Sequence, residues 1–244
     1  MHENITYYRN YIFDLYGTLV DIHTDERSDE FWNDFQNVLA GYGSELEAGW
    51  LREFYENSVR AMEAQARDDM PDGEPEIDLL PIFVSFLSEG GAKACPEDAV
   101  KLAESFRMLS IRKLRLFDGA SELLKTLRKE GRRVYLLSNA QTIFTRPELR
   151  ALELDDLFDG TLLSAEAGRK KPDPMFYRAL LEKYELDPAE SIMVGNDDVA
   201  DCHGAAQAGL DSLYIHTEQS PEPVRPLPDN CRQIASIREV WQES

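Results

Sequence analysis

Four short apolar runs, at residues 11–15, 133–137, 191–194 and 211–215, constrain this chain more than any other feature. They are rich in Ile, Val, Leu and Tyr, and each is followed by a polar or glycine-containing turn, as buried strands are. A weaker fifth run surrounds residues 160–163, just before a loop that carries Lys171. Helical patterns lie between them. Residues 121–131, SELLKTLRKEG, place leucines at 123, 124 and 127 and stop at Gly131, a suitable C-cap. PMFYRALLEKYEL opens with Pro174, which suits a first helical turn. Strands alternating with helices predict an α/β fold, a mostly parallel sheet with helices on both faces.

Residues 24–113 depart from that alternation. Apolar side chains recur there at steps of three and four, as in Trp50, Phe54, Val59 and Met62, and the block reads as successive helices. The turn signals MPDGEPE (70–76) and EGGAKACP (89–96) divide it. An all-helical insertion after the first strand predicts a small second domain. The segment from residue 218, EQSPEPVRPLPDN, is proline-rich and reads as irregular, with IASIREVWQ forming a closing helix.

Charge narrows the partners. The net charge of −20 disfavours nucleic acid and repels small phosphorylated compounds, unless a bound cation and a lysine reverse the field locally. The start, MHENITYYRN, lacks the features of a signal peptide, and no apolar stretch reaches the ~20 residues of a membrane span. Cys95, Cys202 and Cys231 are far apart in sequence and fit neither a disulfide framework nor a zinc spacing. These features predict a cytoplasmic protein with reduced cysteines, no membrane partner and an oligomeric state the sequence leaves open.

Ligands of open parallel sheets bind outside the carboxyl ends of the strands, where strand order reverses. Polar groups follow three of the predicted strands here: Asp14, then Ser138 and Asn139, then the run GNDDVAD (195–201). Lys171 sits in GRKKPDP, a loop stiffened by prolines. Singly, these residue types suit turns and caps. Together, on one sheet edge, they predict a site.

FDLYGTLVD, LLSNA, KKPDP and VGNDDVADCHGA, in that order, resemble the four motifs of the haloacid dehalogenase superfamily of hydrolases, with a helical cap between the first and second. The resemblance spans residues 10–215. It implies a Rossmann-like core (1–22 and 114–244), a helical cap (23–113), an aspartate nucleophile and Mg2+. Asp14 would be that nucleophile. Thr18 and Ser138 would hydrogen-bond the transferring group, Asn139 would join them in binding substrate, and Lys171 would hold nucleophile and substrate oxygens by charge. Magnesium would rest on Asp14, the carbonyl of Tyr16 and oxygens of the last motif, with Asn196 and Asp197 nearest and Asp201 a further ligand or a support. A small phosphorylated metabolite would be the substrate.

Two positions depart from the family's phosphatases, which place an aspartate where this chain has Asn196 and another where it has Tyr16. The second aspartate supplies acid–base help that typically amounts to about 10²–10⁴-fold. A phenol, with a pKa near 10, can donate a proton at neutral pH but is a poor base. Asp21 and His23, beside the predicted hinge, are candidate replacements. The alternative to a phosphatase with atypical acid–base help is a metal-independent 2-haloacid dehalogenase. Those enzymes also carry tyrosine here, and halide leaves without a proton, but their last motif and cap arginine are missing; Arg52 is offset. A non-catalytic binding protein on the same scaffold is the third reading.

Overall fold

The computed structural model of the chain describes residues 7–92 and 95–241. The predicted strands all form. β1 (Asn10–Phe13) leads into a two-stranded antiparallel ribbon of β2 (Val20–Thr24) and β3 (Ile111–Leu116), and the main sheet continues with β4 (Arg133–Ser138), β5 (Gly160–Leu163), β6 (Ser191–Gly195), β7 (Asp211–Ile215) and β8 (Cys231–Ile234). The main sheet is parallel throughout, in the order β5-β4-β1-β6-β7-β8. β1 is central, and the chain builds to one side of it before crossing to the other. The carboxyl end of β1 therefore lies at the switch point.

Strict alternation along the strands divides the interior into two layers. Tyr11, Phe13, Val134, Leu136, Ile192 and Val194 face one core, against α5 (Ala120–Lys129) and α6 (Thr142–Ala151). Ile12, Tyr135, Leu137 and Met193 face the other, against α8 (Pro174–Lys183) and α9 (Gly204–Gln207). A four-residue helix, α7 (Ser164–Ala167), follows β5. Both faces of the sheet are thus covered, as a parallel sheet requires.

The helical block folds as α1 (Asp29–Ala40), α2 (Ala48–Asp69), α3 (Leu80–Glu89) and α4 (Pro96–Ser110). Ser28 caps the first of these by accepting the amide of Phe31, and Asp29 and Glu30 occupy its first turn. These helices share a third apolar cluster. Phe106 is its hub, with Phe31, Phe35 and Phe83 at ring distances of 4.8, 5.0 and 5.3 Å. Phe144 of α6 enters the same cluster from the core side.

Three elements differ from expectation. The tail of the helical block, IRKLRL, is strand β3, because its alternation pairs with VDIHT in a ribbon that a helical spacing count does not detect. The predicted closing helix is instead strand β8 and a single tight turn, Ile237–Val240. The cysteines, distant in sequence, are not all distant in space: the thiols of Cys202 and Cys231 touch, both remaining free.

Candidate active site

Asp14 stands one residue beyond β1, its amide bonded to the carbonyl of Val194 at 2.9 Å, so β6 fixes its height. The chain then turns tightly: the carbonyl of Leu15 accepts the amides of Leu19 and Val20, each at 2.8 Å. Gly17 has φ +84°, and a Cβ there would meet Asn196 Nδ2 at 2.3 Å. Only glycine lets this turn pack against the end of β6. The turn brings Thr18 back under Asp14, where its hydroxyl donates to Asp14 Oδ2 (3.3 Å) and to Asn196 Oδ1 (3.1 Å).

Lys171, 3% exposed, donates to Asp14 Oδ1 at 2.6 Å and to Asp201 Oδ1 at 2.7 Å. Burial alone would favour the neutral amine, but the two carboxylates hold the ammonium charged, with its pKa above the ordinary lysine value. Ser138 also donates to Asp14 Oδ1, at 3.3 Å. Asp14 Oδ1 is thus the anchored oxygen, and Oδ2, held only by Thr18, is the available one.

Asn139, expected to contact substrate, lines the cavity with Asp14 and Lys171 and also braces the lysine loop. Its Nδ2 donates to the carbonyl of Lys171 (3.0 Å) and its Oδ1 accepts the Lys171 amide (2.7 Å), so it clamps the lysine loop. Asp201 has both oxygens occupied: Oδ1 by Lys171, Oδ2 by the amides of Asn196 (2.9 Å) and Asp197 (3.0 Å). Burial pushes its carboxyl up to about 6 against the pull of Lys171. Gly195 makes this arrangement possible, since a Cβ there would lie 2.2 Å from Asp201 Cγ. Asp201 thus supports both the lysine and the turn.

Asp197 Oδ1 caps a wide helical turn, Asp198–His203, by accepting the amides of Val199 (2.8 Å) and Ala200 (2.7 Å). Among the described residues no three His, Cys, Asp or Glu side chains converge as a metal cage. A magnesium ion does not need one; it is commonly held by one or two carboxylates and keeps several waters. Asp14 and Asp197, with the neutral oxygen of Asn196, line one cavity of about 180 Å³ and fit that kind of binding.

Tyr16 lines the same cavity, but its hydroxyl is committed elsewhere. It donates to Glu148 Oε2 and shares a 2.9 Å hydrogen bond with Thr145 Oγ1, both on α6. Burial first, and then the Glu148 charge, push the phenol well above its ordinary pKa. Its hydroxyl stays protonated at neutral pH and faces α6. The Asp21 carboxylate is bound by Lys113 at 2.6 Å and Arg115 at 2.8 Å. His23 is exposed on the ribbon.

Sequence reasoning missed Glu148, Thr145 and Arg107, which form the seat of Tyr16, and also Gln219 and Pro221, which line the catalytic cavity from the proline-rich segment. Glu148 is buried on the face of α6 that it shares with Phe144, Thr145 and Leu149. Tyr55 packs against the helical cluster, its ring 5.1 Å from Phe106, and also lines a cleft of about 350 Å³ with Val59, Ile77 and Gln141.

A carboxylate displayed at the switch point of a parallel sheet, with a buried lysine on one oxygen, stands where an open α/β sheet places its ligand site. The chain belongs to the haloacid dehalogenase-like hydrolases, whose family pattern matches residues 8–209. It is 32% identical over 198 residues to a phosphoserine phosphatase of Thermus thermophilus, covering 81% of this chain and 74% of that one. It is 24% identical to (S)-2-haloacid dehalogenase 4A of Burkholderia cepacia, covering 94% and 92%. The crystal structure of a 2-haloacid dehalogenase from Pseudomonas syringae shares the fold, with a TM-score of 0.62, 20% identity and coverage of 96% and 97%. No described helix is long and apolar enough to cross a membrane.

Proposed function

We propose that this hydrolase is a magnesium-dependent phosphohydrolase of small phosphorylated metabolites that works without a side-chain acid, its core being residues 1–22 and 114–244 and its cap 23–113. The observation that carries this reading is the asymmetry of Asp14: Oδ1 is held by Lys171 and Ser138, while Oδ2 has only the 3.3 Å contact with Thr18. Oδ2 is then the oxygen that attacks phosphorus. The bond to the leaving oxygen breaks with its electron pair, an aspartyl-phosphate forms, and water later cleaves it. Lys171 and the hydroxyls of Thr18 and Ser138 steady the charge that develops on the transferred group. Asp14 and Asp197, with Asn196 and the carbonyl of Tyr16, would hold magnesium, which when bound neutralises phosphoryl oxygens.

Since Tyr16 is tied to α6 and Asp21 to two cations, the leaving oxygen must depart without a positioned proton donor. Aryl and acyl phosphates should therefore be hydrolysed far faster than sugar phosphates when magnesium is supplied, with Asp14→Asn as the inactive control. Equal rates on both classes would sink the missing-acid argument, and activity unaffected by a chelator would remove the metal. The engaged Tyr16 also favours a second reading, the dehalogenase, because halide needs no proton. That reading expects chloride release from 2-chloropropionate in the presence of a chelator; no release at any pH discards it.

A further inference from the structure

One wall of the catalytic cavity comes from a segment to which the proposed chemistry gives no role. Between β7 and β8 the chain runs as irregular backbone through residues 216–230. It is fastened at several points around the cavity. Thr217 Oγ1 donates to the carbonyl of Gly17 in the nucleophile turn, at 2.8 Å. Gln219 Nε2 donates to Asp21 Oδ1 (2.6 Å) and to the carbonyl of Ile22 (2.9 Å), both on the ribbon strand that leads into the cap. Farther along, the amide of Val224 donates to Asp198 Oδ2 at 3.1 Å, and His203 Nε2 shares a 3.0 Å hydrogen bond with the carbonyl of Pro226. The segment therefore bridges the nucleophile turn, the hinge and the last-motif turn.

Within it, Gln219 and Pro221 line the same cavity as Asp14 and Lys171. Gln219 cannot swing aside freely, because its Nε2 is held by two acceptors on β2. Pro221 is stiff, with a fixed φ and no amide proton. The cavity of about 180 Å³ opens to solvent, so its walls, Gln219 and Pro221 among them, set what can sit beyond a bound phosphoryl group.

We infer that the 217–221 strap is a substrate-selecting wall, in which Gln219 holds and Pro221 forms the barrier that restricts this site to compact phosphate esters. The inference rests on the phosphohydrolase reading and gives it a substrate class: monophosphates whose leaving part is small. Gln219 selects by placing the wall, and the reacting atoms remain those of Asp14 and its neighbours.

The test compares kcat/KM for phenyl phosphate, the more compact ester, with 1-naphthyl phosphate, the bulkier one, in the magnesium-loaded full chain. Both leave as aryloxides of similar basicity, so their ratio reports size and not acid catalysis. Wild type should strongly prefer phenyl phosphate. Gln219→Ala and Pro221→Gly, made separately, should each lower that preference by about tenfold or more, the scale on which a pocket discriminates small changes in bulk. Val224→Ala, at an exposed position on the same strap, should leave it unchanged. The ratio is internal to each protein, so partial loss of folded enzyme does not move it. An active wild type with no preference, or both cavity variants within twofold of wild type, overturns the inference alone. A wild type inactive on both esters removes the phosphohydrolase reading, and the inference with it.

Discussion

Glu148 accepts the Tyr16 hydroxyl on one carboxylate oxygen and the Arg107 guanidinium on the other, the latter at 2.6 Å. Tyr16 belongs to the turn after β1, Glu148 to α6 and Arg107 to α4 of the helical block. One buried carboxylate therefore joins that turn, a helix flanking the main sheet and the helical block. Arg107 also lies over the Phe144 ring, 5.3 Å from its centroid, and reaches Glu26 at 3.6 Å.

Removing one member of this group should cost far more than removing the pair. Arg107→Met strands the Glu148 charge in a low-dielectric site, and breaking a buried pair in this way costs about 3–5 kcal/mol. Arg107→Met combined with Glu148→Gln leaves no stranded charge and should be markedly less destabilised than the two single changes summed. Urea denaturation of the four proteins measures the coupling, and additivity would show that the pair does not link the helical block to α6.

Tyr16→Phe separates anchoring from catalysis. Loss of the hydroxyl leaves Glu148 with one hydrogen bond fewer, at a cost of about 1–3 kcal/mol in stability. Turnover of an alkyl monophosphate, whose leaving alkoxide would need a proton donor, should remain within about threefold, because the hydroxyl is tied to Glu148. A general acid would lose about 10²–10⁴-fold on removal. A drop of that size, or a lost limb of the pH–rate profile, would show that Tyr16 is the proton donor after all.

The contrast between these residues explains what the sequence disclosed. Asp14, Ser138 and the 195–201 run were legible because each sits at a strand end, where backbone geometry alone dictates convergence, and Lys171 because its proline-stiffened loop follows β5 and α7. The division of Tyr11 and Phe13 from Ile12 between two cores follows from a period of two, and the helical pattern of the cap from a period near 3.6. Directions of side chains beyond the first bond were not legible. Whether Tyr16 turns into the cavity or toward α6 depends on Glu148, more than a hundred residues away, and that Asn139 also braces the lysine loop shows only once the Lys171 backbone lies against it. The β2–β3 ribbon was hidden for a similar reason, since IRKLRL fits a helix end until VDIHT lies beside it.

Asp201 should act through Lys171. Asp201→Asn keeps the shape but cannot accept from Lys171 on one atom and from the amides of Asn196 and Asp197 on the other, because one of those atoms becomes a donor. Displacement of Lys171 from Asp14 should then lower kcat by about 10²-fold, the scale of a 1 Å misplacement, with KM changing little. Steady-state kinetics beside Asp14→Asn, which should show no turnover, reads the difference. An Asp201→Asn enzyme with wild-type kcat would show that Asp14 alone positions the lysine.

Asp21 should make the hinge sensitive to acid. Burial pushes its carboxyl up, but the salt bridges from Lys113 and Arg115 outweigh burial and hold it below the ordinary carboxylate range. A carboxylate whose folded pKa is depressed contributes stability at all pH values above its unfolded pKa, near 3.9, and loses that contribution as pH falls through the folded value. The sign is therefore fixed: wild type should lose Tm on acidification below about pH 4 more steeply than Asp21→Asn, which has no proton to take up there. Gln219, bonded to the same carboxylate, extends the effect to the strap, so Gln219 should become more accessible as the cluster is titrated. Thermal melts of both proteins between about pH 7 and pH 3 measure the difference directly. Parallel curves would mean that the hinge cluster contributes nothing to the acid sensitivity of this fold.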